Sequence, residues 1–203
     1  MAQMWITSDQ HFDHDAMVYT LTNADGSPAR VFESVDAMNE RMVEEWNAVV
    51  RPQDHVYCLG DIALKRSGLR FVARLHGHKR LVRGNHDLYK TKDYLNAGFE
   101  EIHGARVLDG SKILLTHFPV HPSTLAHRFA GNAHGHTHHA VVAGRYVNVC
   151  VERTNYRPVH VDDVVALLKA RRAEEVAAAL AACQDLIARR NQVEHDLMLG
   201  EPL

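Results

Sequence analysis

Short apolar runs recur along the chain, and each ends in a polar cluster. Trp5-Ile6-Thr7 precedes Ser8-Asp9, Val56-Tyr57-Cys58-Leu59 precedes Gly60-Asp61, and Arg80-Leu81-Val82-Arg83 precedes Gly84-Asn85-His86-Asp87. Ile113-Leu114-Leu115-Thr116 then runs into His117. Apolar runs of this length, bounded by turn-forming residues, predict buried β-strands. Between the first two, Met38, Met42, Trp46 and Val49 recur at helical spacing behind Ser34, and the stretch closes before Arg51-Pro52. This predicts an amphipathic helix with Ser34 as its N-cap. A second helical stretch is expected near 69–75. The first half thus alternates strand, helix, strand, helix, strand, the signature of an α/β sheet.

After residue 105 the pattern turns β-rich, with Arg106-Val107-Leu108, then 112–116, then 146–151. From Val161 to about Met198 the chain has no Gly or Pro and is rich in Ala, Leu, Arg and Glu, which predicts one long helix. Val176, Leu180, Cys183 and Ile187 form a seam spaced 4, 3 and 4, interrupted by Arg190 and Glu194. A seam that short favours packing on the domain over a coiled coil and leaves oligomerisation through this helix open. The expected division is a domain over 1–160 and a helical extension over 161–203.

At 203 residues the chain is long enough for one sizeable core. The charge balance of 23 basic against 25 acidic residues supplies no bulk field toward nucleic acid or an anionic membrane. No apolar run approaches the length of a membrane span, and Met1 to Asp9 has neither the basic nor the apolar part of a secretory signal, so a cytoplasmic location is expected. Cys58, Cys150 and Cys183 lie far apart and read as buried small hydrophobes, not as a disulfide or thiolate zinc framework. The abnormal count is histidine, at 16, the commonest metal-ligand residue type.

Polar blocks at the predicted strand ends carry candidate chemistry: Asp9-x-His11, Gly60-Asp61, Gly84-Asn85-His86-Asp87, His117 and Gly135-His136-Thr137-His138. In α/β sheets the carboxyl ends of strands are where ligands bind, so these blocks are expected to converge. Three Asp or Asn oxygens and four imidazoles form a mixed N/O set suited to Mn, Fe, Zn or Ni. Seven ligands exceed one ion's needs, and a bridging carboxylate would let two ions about 3.5 to 4 Å apart share them. On an extended segment, residues i and i+2 face the same way, so both Asp-x-His and His-x-His are expected to grip a shared centre by alternation. Gly60, Gly84 and Gly135 precede ligands where sharp turns or close backbone approach would need them.

In this order the five blocks resemble the calcineurin-like metallophosphoesterases, and Asp9-Gln10-His11-Phe12-Asp13-His14 with Met38-Asn39-Glu40 and Trp46-Asn47 looks like a small bacterial and phage branch. The resemblance spans roughly the first 160 residues. It implies a four-layer αββα sandwich and a hydrolase with two divalent ions, Mn foremost. Asp9, His11, Asp61 and His138 would hold one ion, and Asp61, Asn85, His117 and His136 the other, with Asp61 as the bridge. A hydroxide shared by the ions would attack phosphorus in line, and His86, oriented by Asp87, would protonate the leaving oxygen.

The remaining histidines, at 55, 76, 78, 103, 127, 160 and 195, read as solvent-facing or loop residues, while His14, His121, His134 and His139 sit beside motif residues. His14, Arg30 and Arg83 are candidate substrate contacts, the guanidinium fork being suited to phosphate oxygens. The Asp-Arg-Gly continuation of the Ser/Thr protein phosphatases is missing after Gly60-Asp61, which argues against a phosphoprotein substrate. Only about thirty residues separate Asp87 from His117, leaving no room for a large cap. The polar stretch 12–33 is expected to wall the site. The favoured substrate is a small phosphodiester or nucleotide; a phosphomonoesterase or nucleotidase, a nuclease, and a non-catalytic metal-binding scaffold stay as alternatives.

Overall fold

The computed structural model describes residues 1–199, without the side chains of 191 and 193–199. Two sheets stack face to face. The first contains β1 (Met4–Thr7), β2 (His55–Cys58), β3 (His78–Val82), β4 (Phe99–His103) and β9 (Val159–His160), in the order β4-β3-β2-β1-β9. Its strands are parallel except for β9, which runs antiparallel to β1. The second contains β5 (Arg106–Leu108), β6 (Ile113–Thr116), β7 (Gly131–His134) and β8 (Tyr146–Asn148) in sequential order, with β5 antiparallel to β6 and the rest parallel.

The central strands β2 and β3 become apolar toward their carboxyl ends, where both faces are buried. Val56 and Cys58 point to the helical side of the first sheet, while Tyr57 and Leu59 point into the space between sheets. Ile113 and Leu115 meet them there, with Leu114 on the outer face. The helical side is covered by α2 (Val35–Val49), a 3₁₀ segment (Arg66–Arg74) and α3 (Thr91–Ala97), beyond the short α1 (Ala16–Tyr19). Ser34 caps α2, its hydroxyl accepting from the Ala37 N–H at 3.0 Å, a contact worth about 1 kcal/mol. The helical stretch expected near 69–75 is that 3₁₀ segment, with Leu69, Phe71 and Val72 buried. Asn39 and Asn47 brace loops: Asn39 donates to Asp13 Oδ1, and Asn47 donates to the Arg74 carbonyl and accepts from the His76 N–H. The expected strand at 146–151 stops at Asn148, where the chain crosses from the second sheet to the first: Val149 N–H donates to the His134 carbonyl, and Val151 N–H to that of Ser8.

The long helix α4 (Val161–Leu199) begins where the sequence places the end of the first domain. Val164 and Leu168 are nevertheless buried in the core between the sheets, so that core runs across the junction. Arg145 pairs with Glu175, and Arg171 donates to the Tyr146 carbonyl. From 172 to 190 every side chain is exposed, including Val176, Leu180, Cys183 and Ile187. The seam expected to pack on the domain therefore does not, and Cys183, unlike Cys58 and Cys150, is not a buried hydrophobe. Glu194 and residues 200–203 of the expected extension lie outside the described residues. Among the described residues no helix is long and apolar enough to cross a membrane.

Candidate metal centre

Five parallel strands end on one rim of the sandwich, and the motif residues follow them directly: Asp9 and His11 after β1, Asp61 after β2, Asn85 and His86 after β3, His117 after β6, and His136 and His138 after β7. Asp9, His11 and His138 form one trio whose ligand atoms all lie within 4.8 Å of one another, and Asp61, His117 and His136 form a second. Asp61 Oδ2 stands between them, 3.8 Å from His11 Nε2 and 3.3 Å from His117 Nε2. Asn85 Oδ1 lies 2.9 Å from His117 Nε2.

The convergence is not produced by strand alternation. Asp9, His11, Asp61, His136 and His138 all have positive φ, between 46° and 66°, so each pair turns through the left-handed region just past its strand. For a residue with a Cβ that conformation costs roughly 1 to 2 kcal/mol, and strain of this kind gathers at functional sites. The three glycines make the crossings possible. Gly60 has φ +100°, and a Cβ there would lie 2.6 Å from His117 Nδ1; a Cβ on Gly84 would strike Asp61 Oδ1 at 2.1 Å, and one on Gly135 would strike Asp9 Oδ2 at 2.3 Å.

The polar atoms of the rim are unevenly satisfied. Asp9 Oδ2 accepts from the Ser8 hydroxyl at 2.5 Å and the His136 N–H at 2.9 Å, with Cys150 Sγ at 3.2 Å. Asp9 Oδ1 and His11 Nε2 are equally buried yet have no hydrogen-bond partner, although they lie 3.7 Å apart. Leaving buried polar atoms unpaired costs about 1 to 3 kcal/mol each, a penalty that a cation between them removes. His117 Nδ1–H donates to the Leu59 carbonyl at 2.7 Å, which turns the Nε2 lone pair toward Asp61. The residues present therefore fit a divalent metal pair.

The electrostatics follow from the same contacts. Burial alone would raise the Asp9 carboxyl, but the His11 contact and the imidazoles of His11, His138 and His117 hold it well below the usual range. Asp61 is likewise lowered against burial, chiefly by His117. His14, its Nδ1 3.2 Å from that of His11, is pushed down to about 4 by burial and by His11 and His86, so it is neutral at the mouth of the site.

Three sequence expectations need correction. Arg30 is not placed to touch substrate: its side chain is fully buried behind Asp9, where it pairs with Glu152 and donates to the Asp9 and Gln10 carbonyls. Arg83 donates to the carbonyls of Asp87 and Tyr89, so it braces its own loop. Asp87 makes its hydrogen bonds to the N–H groups of Asp61, Ile62 and Gly84, not to the His86 ring. Two bonded loops that converge on the site are its work, and burial raises its carboxyl. His86 itself sits over the centre, Nε2 4.0 Å from Asp61 Oδ2, and its N–H donates to Asp61 Oδ1 at 2.8 Å.

Other histidines are absorbed locally: His55 by Arg80, His76 by the Val50 carbonyl, His78 by Glu100, His103 by Glu101 and His160 by Gln3. His127 is exposed, as are His121 and His139; His134 is buried on β7, its Nδ1–H donating to the Gly135 carbonyl; the side chain of His195 lies outside the described residues. The stretch 12–33 does border the rim. Met17, Leu21 and Ala29 face Thr137, His138 and Ala140 across a cleft of about 570 Å³ that opens beside the first trio. Sequence reasoning missed Glu152, which reaches His138 from fourteen residues further along the chain, and the exposed Phe118, whose ring lies 4.6 Å from that of His136.

Residues 3–154 match the calcineurin-like phosphoesterase superfamily domain. The uncharacterized protein MJ1445 of Methanocaldococcus jannaschii is 34% identical over 185 residues, covering 83% of this chain and 93% of that protein. The gene 66 protein of Mycobacterium phage L5 is 28% identical over 180 residues, 73% of this chain and 83% of that one. Among solved structures, the protein of unknown function AQ665 from Aquifex aeolicus superposes with a TM-score of 0.62 at 27% identity, over 82% of this chain and 100% of that one.

Proposed function

The chain belongs to the calcineurin-like phosphoesterase superfamily, and from that premise we propose that it is a phosphohydrolase dependent on two divalent metal ions and acting on phosphodiesters. The observation that carries the reading is the pair of ligand trios meeting at Asp61, with Asp9 Oδ1 and His11 Nε2 buried and unpartnered inside the first. In the proposed assignment Asp9, His11, Asp61 and His138 hold one ion, and Asp61, Asn85, His117 and His136 the other. The mixed N/O donor set suits Mn, with Fe, Zn or Ni as alternatives. When bound, two such ions supply charge neutralisation at phosphoryl oxygens and lower the pKa of water.

This chain's own residues do the rest. The loops holding Asp61 and Gly84 are tied together by Asp87, which sets the spacing between the carboxylate and the Asn85-His86 turn. His86, half-exposed above the centre, is placed to give a proton to the departing ester oxygen. Of the candidate substrate contacts, His14 alone stands at the mouth of the site, neutral and able to hydrogen-bond an uncharged substituent. With Arg30 and Arg83 both engaged by protein carbonyls, neither is free to neutralise the second charge of a monoester, which supports the diester preference. The domain is taken as 1–160 with 161–203 as an extension. The three cysteines, none in a disulfide, fit a reducing compartment, and we place the protein in the cytoplasm.

The experiment is steady-state hydrolysis of an aryl phosphodiester and its monoester by chelator-stripped protein with Mn²⁺ restored. The expected result is faster turnover of the diester. Faster turnover of the monoester would make it a nucleotidase-type enzyme, and binding that weakens steeply with salt on nucleic acid would make it a nuclease. No turnover of either, with metal bound, would leave a scaffold.

A further inference from the structure

We infer that Glu152 is a positioning residue for the Asp9, His11 and His138 half of the centre, and that the Arg30–Glu152 pair makes this half the tighter of the two metal sites. The inference rests on the metal-centre reading above and adds to it a residue, a mechanism and an order of affinity.

Glu152 lies in the short 3₁₀ turn Val151–Arg153, just after the chain has crossed from one sheet to the other. Its side chain is 1% exposed. A single oxygen, Oε1, accepts from His138 Nδ1–H at 2.9 Å, Arg30 Nε–H at 2.8 Å and Arg30 Nη2–H at 2.6 Å. A guanidinium does not lose its proton in a protein, so the carboxylate facing it stays ionised. The acceptor on Nδ1 fixes the tautomer of His138, and its Nε2 lone pair is left facing Asp9 Oδ1 at 3.9 Å. A carboxylate behind a ligating imidazole also makes that imidazole a stronger donor to a metal, and losing such a partner typically lowers metal affinity about 10- to 100-fold.

Arg30 does the matching work on the other ligand segment. Its Nη2 donates to the Asp9 carbonyl at 2.5 Å and its Nη1 to the Gln10 carbonyl at 2.7 Å. Asp9 is a left-handed residue with φ +62°, so the guanidinium clamps a strained backbone from behind while its other face holds Glu152. One buried ion pair thus fixes the main chain of one ligand and the ring of another, residues 129 positions apart in sequence.

Among the described residues no carboxylate stands behind an imidazole of the second trio, where Asp87 braces the Asp61 backbone instead. His117 Nδ1–H meets a neutral carbonyl, that of Leu59, and His136 is exposed with its ring against Phe118. The two halves therefore differ in the charge behind their imidazoles, a carboxylate at His138 and a neutral carbonyl at His117, which is what separates their affinities. A purely structural ion pair would explain the fold of this corner. It would not predict that disturbing the pair falls on one metal and spares the other.

The test is calorimetric titration of chelator-stripped protein with Mn²⁺, which needs no turnover. Wild type should bind in two steps. In Glu152→Gln the amide oxygen can take the place of Oε1 and its NH₂ the place of Oε2, which has no hydrogen-bond partner. The tighter step should weaken about 10- to 100-fold, with the weaker step changed less than about threefold. His138→Ala should weaken that same step, and Glu152→Gln added to it should cause no further loss, because the carboxylate acts through the ring it holds. Added to His117→Ala, the Glu152→Gln effect should be retained in full. Should Glu152→Gln fail to fold because Arg30 is left buried without a counter-charge, Arg30→Met with Glu152→Gln removes both members of the pair and should show the same selective loss. Equal weakening of both steps, or unchanged binding in a variant with native circular dichroism, would overturn the inference. Two Mn²⁺ steps in a wild-type protein that hydrolyses no phosphoester would count against the phosphohydrolase reading and leave this one standing.

Discussion

Two buried carboxylates at opposite ends of the first sheet show how differently one fold treats the same group. Asp54, beneath the amino ends of β1 and β2, accepts from the Gln3 N–H at 2.8 Å, the Arg51 N–H at 3.0 Å and Trp5 Nε1–H at 3.2 Å. Asp9, above the carboxyl end of β1, has one oxygen crowded with donors and the other with none. Burial would raise both carboxyls, and both are instead held below the usual range. At Asp54 the backbone N–H groups of Gln3 and Arg51 do this; at Asp9 it is the imidazoles around it. The satisfied end is architecture. The end left unsatisfied, with five left-handed residues around it, is where the chain keeps binding capacity in reserve for a ligand.

The sharpest way to test that contrast is Asp61→Ala. It should reduce the content of both metals and lower hydrolysis by about 10³-fold or more, since the ions contribute several kcal/mol to the transition state. Elemental analysis beside the rate assay would check it. His86→Ala comes next: retention of both metals with a rate loss of about 10²- to 10⁴-fold, the range of general acid catalysis. Equal metal loss in the two variants would contradict the division of roles between a ligand and a proton donor.

At the other end, Asp54→Asn should leave metal content and rate unchanged and lower unfolding stability by about 1 to 3 kcal/mol in urea titrations near neutrality. Its pH dependence has a definite sign. The folded pKa lies below 3.8, so the carboxylate's contribution is complete above 3.8 and is lost as the pH falls below it. Wild type and variant should therefore converge on acidification. The smallest effect expected is a gain. His136→Gly relieves a φ of +66° and should stabilise the metal-free protein by up to about 1 kcal/mol in thermal melts, while weakening Mn²⁺ binding at the Asp61 trio.

The same contrast explains what the sequence discloses. β1, β2, β3 and β6 are legible because each holds a short run buried on both faces, so the residues need no alternation to be seen. β4, with Glu100 and Glu101 in its middle, is an edge strand and shows no such run; β7, Gly131–His134, is too short and too small in its side chains. α3 hides for a related reason, since only Tyr94 of its seven residues is buried. The candidate ligands stand out as ordered blocks, yet the geometric reason first attached to them fails, because φ sign leaves no trace in residue spacing. Arg30 and Glu152 leave no trace either: they are 122 positions apart and belong to no motif. A contact made only by folding has no local pattern to read.

The helix α4 carries a last consequence. Its first turns are fixed by Val164 and Leu168 in the core, whereas the side chains of 172–190, about 28 Å of helix at 1.5 Å per residue, are all exposed, with Glu175 tied to Arg145 near the start. In proteins most helical stability comes from packing an apolar face, and an exposed stretch gains little of it. Its amides should exchange with deuterium orders of magnitude faster than those of Val164 to Leu168 on the same continuous helix, with the boundary near the Arg145–Glu175 pair. A single element would then record two stabilities, that of the domain at one end and that of an isolated peptide at the other.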